Sequence, residues 1–285
     1  VPAEMRSVLP LALLRQPAPR PDLFARADVR PEQTASRDLG AFLRELLFVW
    51  TELRNQPAQP LKSGGLGKRE RRRLAEAIGL AAPEGLDSVA WLYEVLVALN
   101  LVQESGTEIS AVEGHAATLF WSAKQAQHAH DLRRAYARMT CPLCQDRAAI
   151  RLTGYLQGLE VLPPTVLRER ILETLGQLAT AGWVPFDFVM NLLTGGLPGS
   201  FIFTEQTVGI IYGQLRYYGN TYRAEVERTL SGMELNLARC ALEELRTMGL
   251  VELGYDSTEA VCPVVIRTTQ EAMPTPPVGQ PPSIV

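Results

Sequence analysis

The chain has 285 residues, of which 46% are hydrophobic and 21% charged, a balance typical of a globular protein with room for two domains. No apolar run reaches the ~18 residues that a membrane-spanning helix needs, so the sequence predicts no contact with a membrane. The net charge is −3 and the isoelectric point about 5.8, which excludes a surface that is basic throughout. The cysteine count does not suggest a disulfide framework. The apolar segment Val8–Leu14 is too short for the hydrophobic region of a signal peptide, so a cytoplasmic location is expected.

Proline-rich segments lie at both ends of the chain. Residues 1–35 contain six prolines and no clear periodicity, which predicts an extended or disordered arm. Residues 271–285 are also rich in proline and predict a disordered tail. The folded part is therefore expected between these two segments.

Residues 36–140 are predicted to form a winged-helix-like module followed by a long helix. Helical spacing of apolar residues, capping signals and a glycine turn indicate the individual elements. These are helices at Leu39–Trp50, Lys68–Ile78 and Asp87–Leu99, a hairpin or wing at Leu101–Ser110, and a long helix at His115–Met139.

A cluster of basic residues lies at the start of the second predicted helix, and its members are Lys62, Lys68, Arg69, Arg71, Arg72 and Arg73. With Glu70 included, the segment carries +5 in a chain whose total is −3. Arg69, Arg72 and Arg73 share a helical face, and Gly64, Gly65 and Gly67 are expected to leave backbone N–H groups accessible. The cluster therefore predicts a clamp for nucleic-acid phosphates. The alternative is a solvated helix face, which is what most charge runs are.

The third predicted helix argues against sequence-specific DNA reading. Helices that read the major groove present basic and polar side chains to base edges. Asp87–Leu99 contains no lysine or arginine, and the corresponding helix of the second half, Asn236–Met248, carries glutamates beside its arginines. Contacts with the DNA backbone, or with another protein, fit this pattern better.

Residues 141–152 break the helical pattern and are interpreted as a linker or a zinc knuckle. Cys141 and Cys144 form a C-P-x-C turn of the kind that presents two thiolates to one ion. His128 and His130 could complete the set, although two positions on a helix point in nearly opposite directions. Cys240 and Cys262 are alternative ligands, and two ordinary thiols at a linker are the competing interpretation.

Residues 153–270 are predicted to form a second helical, winged-helix-like module. Its expected elements are a helix that starts after Pro163 and Pro164 and ends at Gly182, a short helix at Trp183–Leu193, helices at Glu205–Tyr217, Tyr222–Leu230 and Asn236–Met248, and a hairpin at Val251–Ile266. Ser231 and Glu234 fit a capping box before the last of these helices. The transition from the last helix to the hairpin has the same pattern in both modules. Asn100 in the first module and Gly249 in the second each lie between a helix and a strand, and both residue types tolerate positive φ.

Aromatic residues offer a further site. Tyr212, Tyr217, Tyr218 and Tyr222 lie near Arg216 and Arg223, and this group could stack on single-stranded bases. Helix packing with polar tips at the surface is the alternative. The tryptophans at positions 50, 91 and 183 fall at or beside apolar faces, so they are expected in the core.

Three segments of the chain resemble the N-terminal region of bacterial proteins related to XPB-type DNA helicases. They are KSGGLGKRERRRLAEAIGL, LETLGQLATAGWVPFDFVMNLL and VERTLSGMELNLARCALEELRTMGLVELG. The resemblance implies a helicase-associated module linked to repair or transcription, and it implies no catalytic residues. The helicase motor itself does not occur in this sequence, because both the phosphate-binding G-x-x-x-x-G-K-[ST] motif and a D-E-x-H box are missing.

The sequence therefore predicts a mainly α protein with tandem winged-helix-like modules and small β wings. Its predicted function is a DNA-binding accessory protein that contacts phosphates with little sequence specificity. The alternative is an adaptor that docks a helicase or nuclease without binding DNA itself. No motif for catalysis is present, so an enzyme is not expected.

Overall fold

The computed structural model describes residues 31–80, 84–143, 159–178, 182–256, 263 and 265–269. It is mainly helical with a few short antiparallel strands, which confirms the predicted class at this level. Contacts divide the chain into two compact units. The amino-terminal unit contains residues 37–138 and 248–250, and the carboxyl-terminal unit contains residues up to Ser36 together with 139–247 and 251–267.

The elements up to residue 138 are β1 (Gln33–Ala35), α1 (Leu39–Asn55), α2 (Lys68–Ala77), α3 (Glu84–Ala98), β2 (Val102–Glu104), β3 (Ile109–Ala111), α4 (His115–Trp121) and α5 (Gln125–Arg138). Those that follow are α6 (Pro164–Gln177), β4 (Val184–Pro185), α7 (Phe186–Thr194), α8 (Glu205–Leu215), α9 (Asn220–Thr247), β5 (Val251–Tyr255) and β6 (Val265–Thr268).

Helix α1 supplies much of the core of the amino-terminal unit. Asp38 caps its start, since the carboxylate accepts the Ala41 N–H at 2.9 Å. One face of the helix is buried and consists of Leu39, Phe42, Leu46, Val49, Trp50 and Leu53. Trp50 Nε1 also donates a buried hydrogen bond to Leu101 O at 3.0 Å, which fixes α1 against the residue before β2.

The predicted hairpin of the amino-terminal unit is confirmed. Strands β2 and β3 pair in antiparallel register, with Val102 opposite Ala111. Ala58, between α1 and α2, forms a further antiparallel bridge with Ile109. Asn100 has φ 58°, as expected for the residue that separates α3 from the hairpin.

The predicted long helix at His115–Met139 is wrong in one respect, because it divides into α4 and α5 near Ser122. The Ser122 hydroxyl donates to Thr118 O at 2.8 Å and competes with continuation of the helix. The His128 ring then lies 2.7 Å from Phe120 O through Nε2 and satisfies a carbonyl at the end of α4.

The carboxyl-terminal unit contains a four-stranded sheet in the order β1-β5-β6-β4. Strand β1 pairs with β5, with Gln33 opposite Tyr255, and β4 pairs with β6, with Val184 opposite Ile266. The sequence did not predict that the segment before the first module supplies an edge strand here. That pairing joins residues more than 200 positions apart and has no local signal.

Helix α9 runs without interruption over 28 residues, so the predicted capping box at Ser231 and Glu234 is wrong. Both residues lie inside the helix, where no N–H group is left to cap. Glu234 is instead 1% exposed and accepts the Phe201 N–H at 2.8 Å. Its carboxylate holds the turn that precedes α8.

Candidate functional site

The glycine-rich segment before α2 forms a tight turn. Gly64 and Gly65 have φ values of 87° and 75°, which side chains rarely adopt. The Gly64 N–H donates to Leu61 O at 2.9 Å, and the Leu61 N–H donates to Gly65 O at 3.0 Å. The turn is therefore closed by its own backbone and brings Lys62 out to the surface.

A carboxylate of the same unit occupies part of this turn. Glu104 Oε2 accepts the Gly65 N–H and the Tyr93 hydroxyl, each at 3.0 Å. Burial and the hydrogen bond to Glu104 raise the pKa of Tyr93, so its hydroxyl stays protonated as the donor. The expectation that the glycines leave their N–H groups accessible is therefore wrong for Gly64 and Gly65.

The predicted basic residues fall into two groups. The exposed group consists of Lys62, Lys68, Arg69 and Arg72. Within the described part of the chain, none of these four side chains has a hydrogen bond or an ion pair. No described residue neutralises these four cations.

Arg73 belongs to the second group because the fold uses its guanidinium. Its Nε lies 3.0 Å from Glu70 Oε2, and its Nη2 donates to Gln56 O at 3.1 Å. Arg71 is half-buried, with a buried Nε that has no partner among the described residues. The structure thus separates Arg73 from Arg69 and Arg72, although all three were placed on one face.

The start of α2 adds partial positive charge near the exposed cations. Gly67 is the N-cap residue, and no side chain caps the helix there. Uncapped N–H groups and the helix dipole both favour an anion at this end. Glu70, the acidic residue of the first turn, is paired with Arg73.

Helix α3 has little free surface. It packs against α1, α2 and α5. Trp91 meets Tyr136 of α5 edge to face, with ring centroids 6.5 Å apart. Its buried residues include Val89, Leu92, Val95 and Leu96.

The predicted zinc ligands do not assemble within the described residues. His128 is buried and His130 is exposed, as expected for two positions on one helix. Cys141 Sγ instead accepts a hydrogen bond from Arg168 at 3.5 Å, and Cys144 and Cys262 lie outside the described residues. Cys240 is disulfide-bonded, which removes it as a ligand and differs from the expectation of reduced thiols. No group of three or more metal-ligating side chains occurs in the described ranges.

Arg168 is a buried charge that the sequence analysis missed. Its side chain is fully buried and donates to Met139 O at 2.7 Å, to Cys141 O at 2.8 Å and to Glu244 at 3.1 Å. Its burial could have been predicted from its position, because Arg168 lies three residues before Ile171 on the apolar face of α6. This guanidinium holds the segment at Cys141 through two backbone carbonyls.

An open groove of about 530 Å³ lies in the amino-terminal unit and was not predicted. Trp50 and Trp121 line it, with ring centroids 5.7 Å apart. Leu47 of α1 also lines the groove and is 40% exposed. Such a groove is a candidate for protein contacts.

In the described ranges, no helix has both the length and the apolar character to cross a membrane. Comparisons of the chain with protein-family models, curated proteins and solved structures found no significant match. The resemblance to proteins related to XPB-type helicases therefore stays a prediction.

Proposed function

We propose that this protein is a DNA-binding accessory factor of a helicase, repair or transcription system that holds the DNA backbone. The observation that carries the proposal is the group of exposed cations Lys62, Lys68, Arg69 and Arg72, which lack partners among the described residues. They lie together in a chain whose net charge is −3. A local basic surface on an acidic protein concentrates phosphate at one place.

The element order supports a winged-helix arrangement for this surface. In the amino-terminal unit, helix α1, the bridge at Ala58, helices α2 and α3, and the β2–β3 hairpin follow one another. The carboxyl-terminal unit repeats the order with α6, β4, α7, α9 and the β5–β6 pair, while α8 is an insertion. In both units the short segment after the first helix bridges the last strand.

The proposed binding mode is directed at phosphates and not at base sequence. Helix α3 would be the reading helix of a winged helix, but it packs on three neighbouring helices and carries no basic residue. Phosphate contacts position a protein on DNA without carrying sequence information. We therefore expect duplexes of different sequence to bind alike.

The test is fluorescence anisotropy with duplex, forked and single-stranded DNA at low salt. The double variant Arg69→Gln/Arg72→Gln should bind more weakly to every DNA of the panel. A matched control is Arg134→Gln/Arg138→Gln, because these two exposed arginines lie at similar spacing on α5 of the same unit. Equal losses in both variants, or no binding by the unmodified protein, would overturn the proposal.

The second candidate function is an adaptor that docks a helicase or nuclease without binding DNA. The groove beside Trp50 and Trp121, with Leu47 exposed in its lining, favours this alternative. A helicase or nuclease that co-purifies after nuclease treatment would support it. Leu47→Ser, at an exposed residue of the groove lining, should release that protein, whereas Arg69→Gln/Arg72→Gln should retain it.

A further inference from the structure

An exposed group of aromatic rings lies at the junction of α8 and α9 in the carboxyl-terminal unit. We call Arg216, Tyr217, Tyr218 and Tyr222 the aromatic tip. Tyr217 is 90% exposed and Tyr218 is 50% exposed. The rings of Tyr218 and Tyr222 lie 4.9 Å apart at an interplanar angle of 43°. Tyrosine side chains usually cover part of their rings, so this exposure is unusual.

Buried and hydrogen-bonded residues of α8 fix the backbone next to the aromatic tip. Leu215, the last residue of α8, is 2% exposed and anchors the end of that helix. Tyr212, one turn earlier, donates its hydroxyl to Pro198 O at 3.2 Å. Burial, followed by the charge of Glu227, raises the pKa of Tyr212 to about 12, so this donor persists at neutral pH. The exposed rings thus project from a fixed base.

The charge at the aromatic tip is positive. Residues 206–224 contain Arg216 and Arg223 but no acidic residue. Arg216 is exposed and has no ion pair within the described ranges. Arg223 is held by Glu227 at 2.9 Å and lies 5.9 Å from the centroid of the Tyr212 ring. Of the two arginines described in this segment, Arg216 is therefore the one available to a ligand.

The surroundings of the rings favour stacking over docking of a folded protein. The residues beside them are polar or small and exposed: Gln214, Gly219, Asn220 and Thr221. The aromatic anchors of protein interfaces cluster in well-packed pockets from which the surrounding contacts exclude water, whereas Tyr217 projects with 90% of its surface exposed. A nucleobase needs only the face of a ring, and a nearby cation neutralises its phosphate.

We propose that the aromatic tip binds unpaired bases of single-stranded nucleic acid. Tyr217 and the Tyr218–Tyr222 pair stack on the bases, and Arg216 contacts the phosphate backbone. The inference goes beyond the proposed function because it concerns a different unit of the protein and requires bases as well as phosphates.

The experiment compares a short thymidine oligonucleotide with an abasic oligonucleotide of the same length, using the full chain. Tyr217→Ala/Tyr218→Ala should bind the thymidine oligonucleotide at least about 30-fold more weakly, because each of the two stacked rings contributes about 1 kcal/mol or more. Binding to the abasic oligonucleotide should not change. Tyr217→Phe/Tyr218→Phe should retain affinity since the rings remain, whereas Tyr217→Leu/Tyr218→Leu should not. Ile210→Ala, at a residue 47% exposed on α8, is the control that should have no effect.

Several outcomes would overturn the inference. They are failure of the unmodified protein to bind the thymidine oligonucleotide, an unchanged affinity in the alanine variant, and equal losses on both oligonucleotides. Retention of affinity by the leucine variant would also overturn it. Failure of the α2 proposal is distinguishable, because Arg69→Gln/Arg72→Gln removes phosphate contacts and should weaken both oligonucleotides alike.

Discussion

Replacement of Arg168 by methionine should strongly destabilise the protein. The guanidinium is fully buried and donates to two backbone carbonyls and to Glu244, which is 15% exposed. Methionine keeps much of the volume but leaves these acceptors without their donor. Removal of one partner from a buried ion pair costs about 3–5 kcal/mol, so we expect a loss in this range.

Urea unfolding followed by circular dichroism measures this loss. With a slope of about 3 kcal/mol/M, Arg168→Met should move the midpoint down by about 1 M or more. Adding Glu244→Met should recover part of the stability, because the second change removes the unpaired carboxylate. Glu169→Gln, at the exposed neighbouring residue, should change stability by less than about 0.5 kcal/mol.

The reasoning about Arg168 fails if the single variant loses less than about 1 kcal/mol, since the guanidinium would then not hold the Cys141 segment. It also fails if a metal chelator, and not the Arg168 substitution, destabilises the carboxyl-terminal unit. That result would restore the zinc knuckle that the sequence predicted at Cys141 and Cys144.

Two further predictions concern stability. Gly249→Ala should lower the melting temperature, because φ is 75° and a Cβ atom would lie 2.8 Å from the backbone of Leu39; Gly232→Ala, in open space within α9, should raise it or leave it unchanged. Burial raises the pKa of Glu234, although backbone N–H groups oppose the shift. A raised folded-state pKa gives stability that is complete below the unfolded value of about 4.3 and is lost as pH rises through the folded value. The melting temperature of Glu234→Gln should therefore fall less between pH ~4 and pH ~7 than that of the unmodified protein, and an equal fall would contradict the assignment.

Local signals in the sequence predicted most helices and both hairpins. Residues that end a helix and tolerate positive φ were identified correctly at Asn100 and Gly249. Periodicity predicts the buried face of α1 only approximately: helical spacing from Leu39 would place Leu47 on that face, but Leu47 is 40% exposed. A shift of one residue around a helix changes which side chain meets the core, and spacing alone does not resolve it.

Contacts between residues far apart in the sequence could not be predicted from local sequence patterns. The hydrogen bond of Glu104 to Gly65 joins residues 39 positions apart and changes the character of the glycine turn. The same holds for Arg73, whose contact with Gln56 assigns it to the fold, whereas Arg72 beside it stays exposed. Charge counts identify a basic cluster, but only the folded geometry shows which members are available to a ligand.

The most direct test of the phosphate-binding proposal is the salt dependence of DNA affinity. The logarithm of the binding constant should fall linearly with the logarithm of salt concentration, by about 0.9 per phosphate contact. Arg69→Gln/Arg72→Gln should therefore flatten the slope by about 1.8, whereas Arg134→Gln/Arg138→Gln should leave it unchanged. The proposal is contradicted if the slope of the Arg69→Gln/Arg72→Gln variant equals that of the unmodified protein.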